Sequence, residues 1–215
     1  MNAVIIEPRL HQYLEPVINN MIRNLPDETI IYIFHGILNI HLLQSKYGNN
    51  QKIKLINLNV KNITIREYSN MLTSVDFWEQ LTGTYILVFQ TDSCLCKPLD
   101  HSILSDLYGY IGAPSKLYPS TWQNGGLSLR NRELMIRAIK DKKQNDITWP
   151  EDKYFSVIKK HITNPAPYEL AKSFSVEQYY YEKPFGIHKA WNYLNSHIWN
   201  QLKSDNPEIT VVFNL

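Results

Sequence analysis

One short apolar run, Tyr85 to Phe89, constrains the fold of this chain more than any other feature. It carries no charge, is short for a helix and is rich in β-branched and aromatic side chains, so it predicts a strand covered on both faces. The run ends abruptly in polar residues that include Asp92. Because ligands bind beyond the carboxyl ends of strands in an open α/β sheet, Asp92 is a candidate to hold a metal ion or a sugar hydroxyl. Alternatively, Asp92 only begins the next turn, since Asp followed by Ser is typical of turns.

The residues before this run alternate between strand patterns and helix patterns. Apolar, β-branched runs predict strands at 4–6, 29–34 and 52–58, and the third alternates as an edge strand or a half-buried strand does. Apolar spacing predicts helices at 14–25, 40–47, 64–72 and 76–81, the third opened by a capping box of Thr64 and Glu67. This order predicts a mostly parallel sheet with right-handed crossovers. Glu7 and Arg9, which follow the first strand, are therefore expected at the same edge of the sheet as Asp92.

The second half of the chain has a less regular pattern. Strands are predicted at 110–112, 127–129, 174–176 and 209–213, and helices at 132–140, 151–162 and 191–202. Asn124, Gly125 and Gly126 precede one of these strands, where paired glycines either let the backbone approach a ligand closely or permit a turn. Because no repeat or linker interrupts the pattern, we expect a single domain over 1–215.

Composition excludes several classes of function. A net charge of +2 is too small to favour nucleic acid or an anionic membrane as partner. The sequence has neither a glycine-rich dinucleotide fingerprint after the first strand nor a phosphate-binding Gly-Lys-Ser/Thr loop.

Cys94 and Cys96 are too close for an unstrained disulfide, so free thiols in a reducing compartment are expected. With neither a secretory signal nor an apolar stretch long enough to span a bilayer, we expect a cytoplasmic protein.

Two pairs of neighbouring residues carry side chains suited to chemistry. Glu151 and Asp152 open a predicted helix, where adjacent side chains point about 100° apart and cannot flank one bond as a glycosidase pair does. One of them is a candidate general base, or both simply stabilise the positive end of the helix dipole. His188 and Lys189 offer an imidazole for a metal and an ammonium for a phosphate, although a single histidine is more often structural.

These features occur in an order that resembles a largely uncharacterised family of glycosyltransferase-like proteins from microbes and large DNA viruses. The blocks that carry the resemblance extend over nearly the whole chain, and they are Ile6–Arg9, Phe89–Ser93, Tyr110–Pro114, Asn124–Arg130, Glu151–Asp152 followed by Tyr154–Ser156, and Pro184–Lys189.

The resemblance implies the GT-A fold, a single Rossmann-like α/β domain whose mostly parallel central sheet is flanked by helices. Its nucleotide-binding half corresponds to 1–93 and its acceptor-side half to 94–215. The resemblance further implies a nucleotide-sugar donor, most often a UDP-sugar, and an acceptor hydroxyl on a glycan or another compound. The implied cofactor is a divalent metal, Mn²⁺ in preference to Mg²⁺ because Mn²⁺ tolerates imidazole better.

Roles for individual residues also follow from the resemblance. GT-A enzymes carry an Asp-x-Asp motif at the end of a central strand, and the matching triplet here begins with Gln90 and keeps only the second acid, Asp92. The resemblance implies that Asp92 holds the metal, with His188 as a second ligand and Lys189 on the diphosphate. It also implies that Asp152 is the base of an inverting reaction.

The remaining implied contacts belong to the donor. Glu7 and Arg9 would meet the nucleotide, and Asn124, Gly125 and Gly126 would line the sugar pocket with backbone groups.

Two other functions are compatible with the same pattern. A sugar nucleotidyltransferase shares the sheet and the metal, but it usually has a glycine-rich, basic loop where this chain has Glu7, Pro8 and Arg9. A non-catalytic carbohydrate-binding or scaffold module of the same fold is favoured by the missing first acid of Asp-x-Asp.

Overall fold

A six-stranded sheet forms the centre of the molecule in the computed structural model, which describes residues 1–100, 107–117 and 122–213. Its strands are β1 (Asn2–Glu7), β2 (Ile31–His35), β3 (Ile53–Asn57), β4 (Tyr85–Phe89), β6 (Tyr110–Pro114) and β7 (Gln123–Asn131), and a three-stranded sheet contains β5 (Ser93–Leu95), β8 (Ser175–Val176) and β9 (Gly186–His188). The large sheet has the order β3-β2-β1-β4-β7-β6. Strands β1 to β4 are parallel, and β7 pairs antiparallel with both β4 and β6. The predicted mostly parallel α/β sheet is confirmed, and β3 lies at its edge, one of the two positions that its alternating pattern indicates.

Helices cover both faces of this sheet. They are α1 (Leu14–Asn24), α2 (Ile40–Tyr47), α3 (Ile65–Leu72), α4 (Val75–Glu79), α5 (Arg132–Lys140), α6 (Glu151–Lys153), α7 (Lys160–Thr163), α8 (Tyr168–Phe174), α9 (Ser196–Asp205) and α10 (Glu208–Phe213). Successive residues of β1 alternate between two cores: Ala3 and Ile5 pack on one side with α1, whereas Val4 and Ile6 pack on the other with Trp78. Every residue of β4 is buried, because side chains on both of its faces meet apolar neighbours.

Several local predictions are confirmed by the cap and boundary geometry. Thr64 and Glu67 form the predicted capping box, in which the Glu67 carboxylate accepts from the Thr64 N–H at 2.7 Å and the Thr64 hydroxyl accepts from the Glu67 N–H at 3.2 Å. This box fixes the start of α3 beside the carboxyl end of the large sheet. Helix α5 has the predicted bounds, and the Asn131 side chain caps it by accepting from the Leu134 N–H.

The structure corrects two predicted segments. Residues 209–213 form part of α10 instead of a strand, since Ile209, Val212 and Phe213 face the core at helical spacing while Val211 is exposed. Tertiary packing of this face outweighs the strand propensity of the β-branched residues. Gly125 and Gly126 do not form a turn, because both lie inside β7.

Two predicted helices also differ in detail. The helix expected over 191–202 begins only at Ser196, where the Asn195 side chain accepts from the Ile198 N–H. The helix expected over 151–162 contains a π-helical turn at Tyr154–Ile158, immediately after α6. Such turns are rare and often accompany functional sites. No helix in the three described ranges is long and apolar enough to cross a bilayer.

Candidate active site

A cleft with two adjoining lobes lies at the carboxyl ends of β1 and β4. The first lobe, of about 240 Å³, is bordered by Glu7, Arg9 and Asp92. The second, of about 230 Å³, is bordered by the β7 residues Asn124 to Gly126, by Asp152 and by the pair His188 and Lys189. Ile65, Tyr68 and Gln90 border both lobes. All the candidate catalytic, metal-holding and donor-binding residues therefore border one of the two lobes, although this placement does not test their roles.

Strand pairing brings Asp92 and His188 together, although they lie 96 positions apart in the chain. In the antiparallel pair of β5 and β9, Ser93 lies opposite His188. The Lys189 N–H donates to the Asp92 carbonyl oxygen at 2.8 Å, which continues the pairing by one step. As a result, His188 Nε2 lies 3.2 Å from Asp92 Oδ1 and 3.2 Å from Gln90 Oε1. The main-chain ladder, and not the side chains themselves, fixes this arrangement.

The charges around this contact shift the pKa values of both Asp92 and His188. Burial alone would raise the pKa of Asp92, but His188 and Lys189 outweigh it and the pKa is lowered. Burial favours the neutral imidazole of His188, but Asp92 and Glu177 outweigh it and raise its pKa. Glu177 is completely buried, with Oε1 3.5 Å from His188 Nδ1 and 3.6 Å from Lys189 Nζ.

The pair Asp92 and His188 fits a divalent cation of the kind the sequence predicts. Adjacent ligand atoms of an octahedral ion with bonds of about 2.1 Å lie about 3.0 Å apart, close to the 3.2 Å between Asp92 Oδ1 and His188 Nε2. Asp92 Oδ1 is buried and, within the described part of the chain, accepts no hydrogen bond. The described residues contain no cluster of three or more His, Cys, Asp or Glu ligands, so a cation here would take its other ligands from Gln90, water and phosphate.

Two glycines of β7 allow the backbone to lie directly against the cleft side chains. A Cβ atom on Gly126 would lie 2.1 Å from His188 Nε2, and one on Gly125 would lie 2.6 Å from both Arg130 Nη2 and Glu151 Oε1. The Ser93 hydroxyl donates to the Gly126 carbonyl oxygen at 2.7 Å and so ties β7 to the Asp92 turn. The fold therefore requires glycine at both positions because side chains of the protein lie against the backbone, and the approach of a ligand to these glycines stays a prediction.

A buried ion pair holds the start of α6 against β7. Arg130 is fully buried and donates to Glu151 at 2.6 and 3.2 Å, with its guanidinium 4.9 Å from the centre of the Tyr110 ring. Glu151 is thereby paired with Arg130, and both Glu151 and its neighbour Asp152 border the second lobe. Burial, and secondarily the charge of Glu151, raises the pKa of Asp152 to about 6. The Asp152 carboxylate accepts from the Gly125 N–H at 3.3 Å.

At the first lobe, the guanidinium of Arg9 is held in place by an ion pair with Glu7. Glu7 is nearly buried and accepts from Arg9 Nε at 2.8 Å and Arg9 Nη2 at 2.7 Å, while the Arg9 side chain remains half exposed. This ion pair fixes the position of the Arg9 guanidinium at the lobe, a contact that the sequence does not reveal.

Two residues of this site escaped the sequence reasoning. Glu177 follows a strand of only two residues, too short for a periodic pattern, and its distance from His188 in sequence gives no hint of contact. Arg130 stands in a strand pattern where a charge normally faces solvent. The signal that identifies Arg130 in retrospect is its position six residues after Asn124 in an otherwise uncharged strand, with two acids at 151 and 152 still to be paired.

Comparison with known families gives a direct assignment. The model of the family described as "Protein of unknown function (DUF5672)" matches residues 52–188, which is more than half of the chain and includes the cleft residues other than those on its β1 side and Lys189. The chain belongs to this family. The matched range includes Asp92, Asp152, Glu177 and His188. Comparison with curated proteins gave no match.

Solved structures identify the fold of this DUF5672 chain. The galactosyltransferase LgtC, crystallised with donor and acceptor sugar analogs, aligns with a TM-score of 0.60 at 11% identity over 100% of this chain and 96% of its own. The glycosyltransferase GlyE from Streptococcus pneumoniae TIGR4, in its apo form, aligns with a TM-score of 0.59 at 13% identity over 99% of this chain and 62% of its own. The fold is therefore that of the GT-A glycosyltransferases, as the sequence resemblance predicts.

Proposed function

We propose that this protein is a glycosyltransferase that moves a sugar from a nucleoside diphosphate sugar to an acceptor hydroxyl. The observation that carries the proposal is the contact of Asp92 and His188 at the carboxyl edge of a GT-A-like sheet, with Lys189 beside them. A site that combines a carboxylate, an imidazole and an ammonium suits a diphosphate leaving group, which gains negative charge as the bond to the sugar breaks.

Asp92 and His188, with Gln90 alongside, are the residues that would hold Mn²⁺ or Mg²⁺. Bound there, the cation would supply Lewis-acid stabilisation of the departing diphosphate. Lys189 would neutralise a further part of that charge from the same edge. In the first lobe, the Arg9 guanidinium oriented by Glu7 would contact the nucleotide, for which uridine diphosphate is the first candidate.

Asp152 is the proposed general base. With its pKa raised to about 6, its carboxylate is still ionised at neutral pH and is a better proton acceptor than an ordinary aspartate. It would take the proton from the acceptor hydroxyl as the hydroxyl attacks the anomeric carbon. Attack from the face opposite the diphosphate inverts that carbon. The backbone from Asn124 to Gly126, which lies between Asp152 and His188, would line the sugar pocket.

A donor-turnover assay tests this proposal. The protein is incubated with individual nucleotide sugars and Mn²⁺, with and without glycan acceptors, and released nucleoside diphosphate is measured. We expect release by the native protein, its loss in Asp92→Ala, and loss of transfer with retained nucleoside diphosphate binding in Asp152→Asn. Asp27→Asn is the matched control, since Asp27 is exposed and pairs only with Lys52 among the salt bridges of the described residues.

Other results of the same assay would contradict the proposal. Unchanged turnover in Asp92→Ala would refute the metal role, and full transfer in Asp152→Asn would refute the base. Pyrophosphate release from a nucleoside triphosphate and a sugar phosphate would identify a nucleotidyltransferase instead. Glycan binding without turnover of any donor would identify a non-catalytic module. Retention of the donor's anomeric configuration in the product would contradict the inverting role of Asp152.

A further inference from the structure

Glu177 is a buried acid that lies beside the proposed cation site, next to His188 and Lys189. The parallel pair of β8 and β9 sets Ser175 opposite Gly186 and Val176 opposite Ile187, so Glu177 follows at the level of His188. Its side chain is completely buried. In the described part of the chain neither of its carboxylate oxygens has a hydrogen bond, and the same is true of His188 Nδ1. A buried carboxylate is costly unless it is paired, so its placement requires a compensating partner.

The positions of the two acids around the imidazole differ. Glu177 Oε1 lies 3.5 Å from His188 Nδ1, whereas Asp92 Oδ1 lies 3.2 Å from His188 Nε2. Glu177 therefore approaches the ring nitrogen that does not face Asp92. Only a small movement would bring the Nδ1 contact to ordinary hydrogen-bond length. Histidine ligands commonly donate their second ring N–H to a carboxylate, which fixes the tautomer and the orientation of the ring.

The charges of Asp92, Glu177 and Lys189 also favour a bound cation. Asp92 and Glu177 are two buried or partly buried acids, and Lys189 is a single ammonium 3.6 Å from Glu177. With a neutral imidazole, these groups leave one net negative charge in a low-dielectric site. A divalent cation between Asp92 and His188 would reverse that sign and so prepare the site for a diphosphate.

We propose that Glu177 is a positioning residue for the cation, an inference that rests on the proposed function. It holds the proton of His188 on Nδ1, so that the Nε2 lone pair faces Asp92 and is available to the metal. At the same time it anchors Lys189 at the edge of the site. Glu177 itself does not contact the cation, because the imidazole lies between them.

Binding of Mn²⁺ to purified protein tests this role without measuring turnover. Free Mn²⁺ is followed by electron paramagnetic resonance, with and without uridine diphosphate, in the native protein and in Glu177→Ala, Glu177→Gln and Asp92→Ala. Loss of an outer-shell partner typically weakens metal binding by about 10- to 100-fold, which is the effect expected for Glu177→Ala. Glu177→Gln is expected to bind better than Glu177→Ala, because its amide oxygen still accepts from Nδ1. The matched control is Glu182→Gln, which removes an exposed acid five positions further on.

Nitrogen NMR of the His188 ring supplies a readout that a merely structural role would not change. In Mg²⁺-loaded native protein we expect the proton on Nδ1, and in Glu177→Ala we expect this preference to be lost. Unfolding curves check that each variant is folded, and the isosteric Glu177→Gln decides the matter if Glu177→Ala does not fold.

The two proposals fail in different ways. If Asp92→Ala abolishes Mn²⁺ binding while both Glu177 variants bind as the native protein does, the role of Glu177 is wrong and the cation site stands. If Asp92→Ala binds Mn²⁺ like the native protein, or the native protein binds none even with uridine diphosphate, the metal role in the proposed function is wrong as well.

Discussion

Substitution of Gly126 by alanine should damage the candidate site from the backbone side. The new Cβ atom would lie 2.1 Å from His188 Nε2, 2.3 Å from Cε1 and 2.5 Å from Cδ2. Ordinary contact begins near 3.4 Å, so the ring and the backbone must separate by about 1.3 Å. The ring has little room to move, because it is buried with Glu177 at Nδ1 and Asp92 at Nε2.

Overpacking of a closed site costs about 1–3 kcal/mol. For a domain of this size each kcal/mol lowers the melting temperature by about 2–4 °C, so Gly126→Ala should melt roughly 2–12 °C below the native protein. The same displacement should separate His188 from Asp92 and weaken Mn²⁺ binding. Thermal unfolding and Mn²⁺ titration measure the two effects.

Gly83→Ala is the matched control for this experiment. Gly83 has φ +95°, so alanine is strained there, but it lies beside Asn2, and neither residue borders the cleft. Gly83→Ala should lower stability and leave Mn²⁺ binding unchanged. Native stability and native Mn²⁺ affinity in Gly126→Ala would refute the close packing of β7 against His188.

Three further predictions concern buried charges and thiols. Arg130→Met leaves Glu151 buried without its partner and should lower the free energy of unfolding by about 3–5 kcal/mol. Adding Glu151→Leu to the same chain should recover most of this stability, and urea unfolding measures both variants. The folded-state pKa of Asp152 is raised from 3.8 to about 6, so its contribution to stability is fully present below about pH 4 and is lost as the pH rises through about 6. Asp152→Asn should therefore be more stable than the native protein by about 3 kcal/mol near pH 8 and equally stable near pH 3, and an equal difference at both pH values would contradict the raised pKa. Burial raises the pKa of the Cys94 thiol well above its usual value. Cys94 should therefore not react with an aromatic disulfide reagent near pH 8 until urea unfolds the chain, and mass spectrometry of the labelled peptide measures this.

The sequence predicted the parallel part of the sheet well because its strands are buried on both faces. Tyr85–Phe89 can bury five consecutive apolar side chains only between two layers, and that requirement determines its conformation locally. The capping box of Thr64 and Glu67 is likewise a local signal, complete within four residues. In both cases the residues that decide the structure are neighbours in the chain.

The prediction was weaker where tertiary contacts decide the outcome. Residues 209–213 have strand propensity, yet they form a helix because one face packs on α1 and on the rings of Tyr13 and Trp191. Similarly, nothing local indicates that Glu177 meets His188 or that Arg130 meets Glu151. These contacts depend on the register of β8 with β9 and on the position of α6 beside β7, which no short sequence pattern specifies.

The position of a bound metal tests the central claim most directly. Crystals of the native protein grown with Mn²⁺ and uridine diphosphate would be measured at the manganese absorption edge. We predict one anomalous peak within bonding distance of Asp92 Oδ1 and His188 Nε2, beside the diphosphate. A peak elsewhere in the molecule, or a bound diphosphate with no metal at these two side chains, would contradict the account.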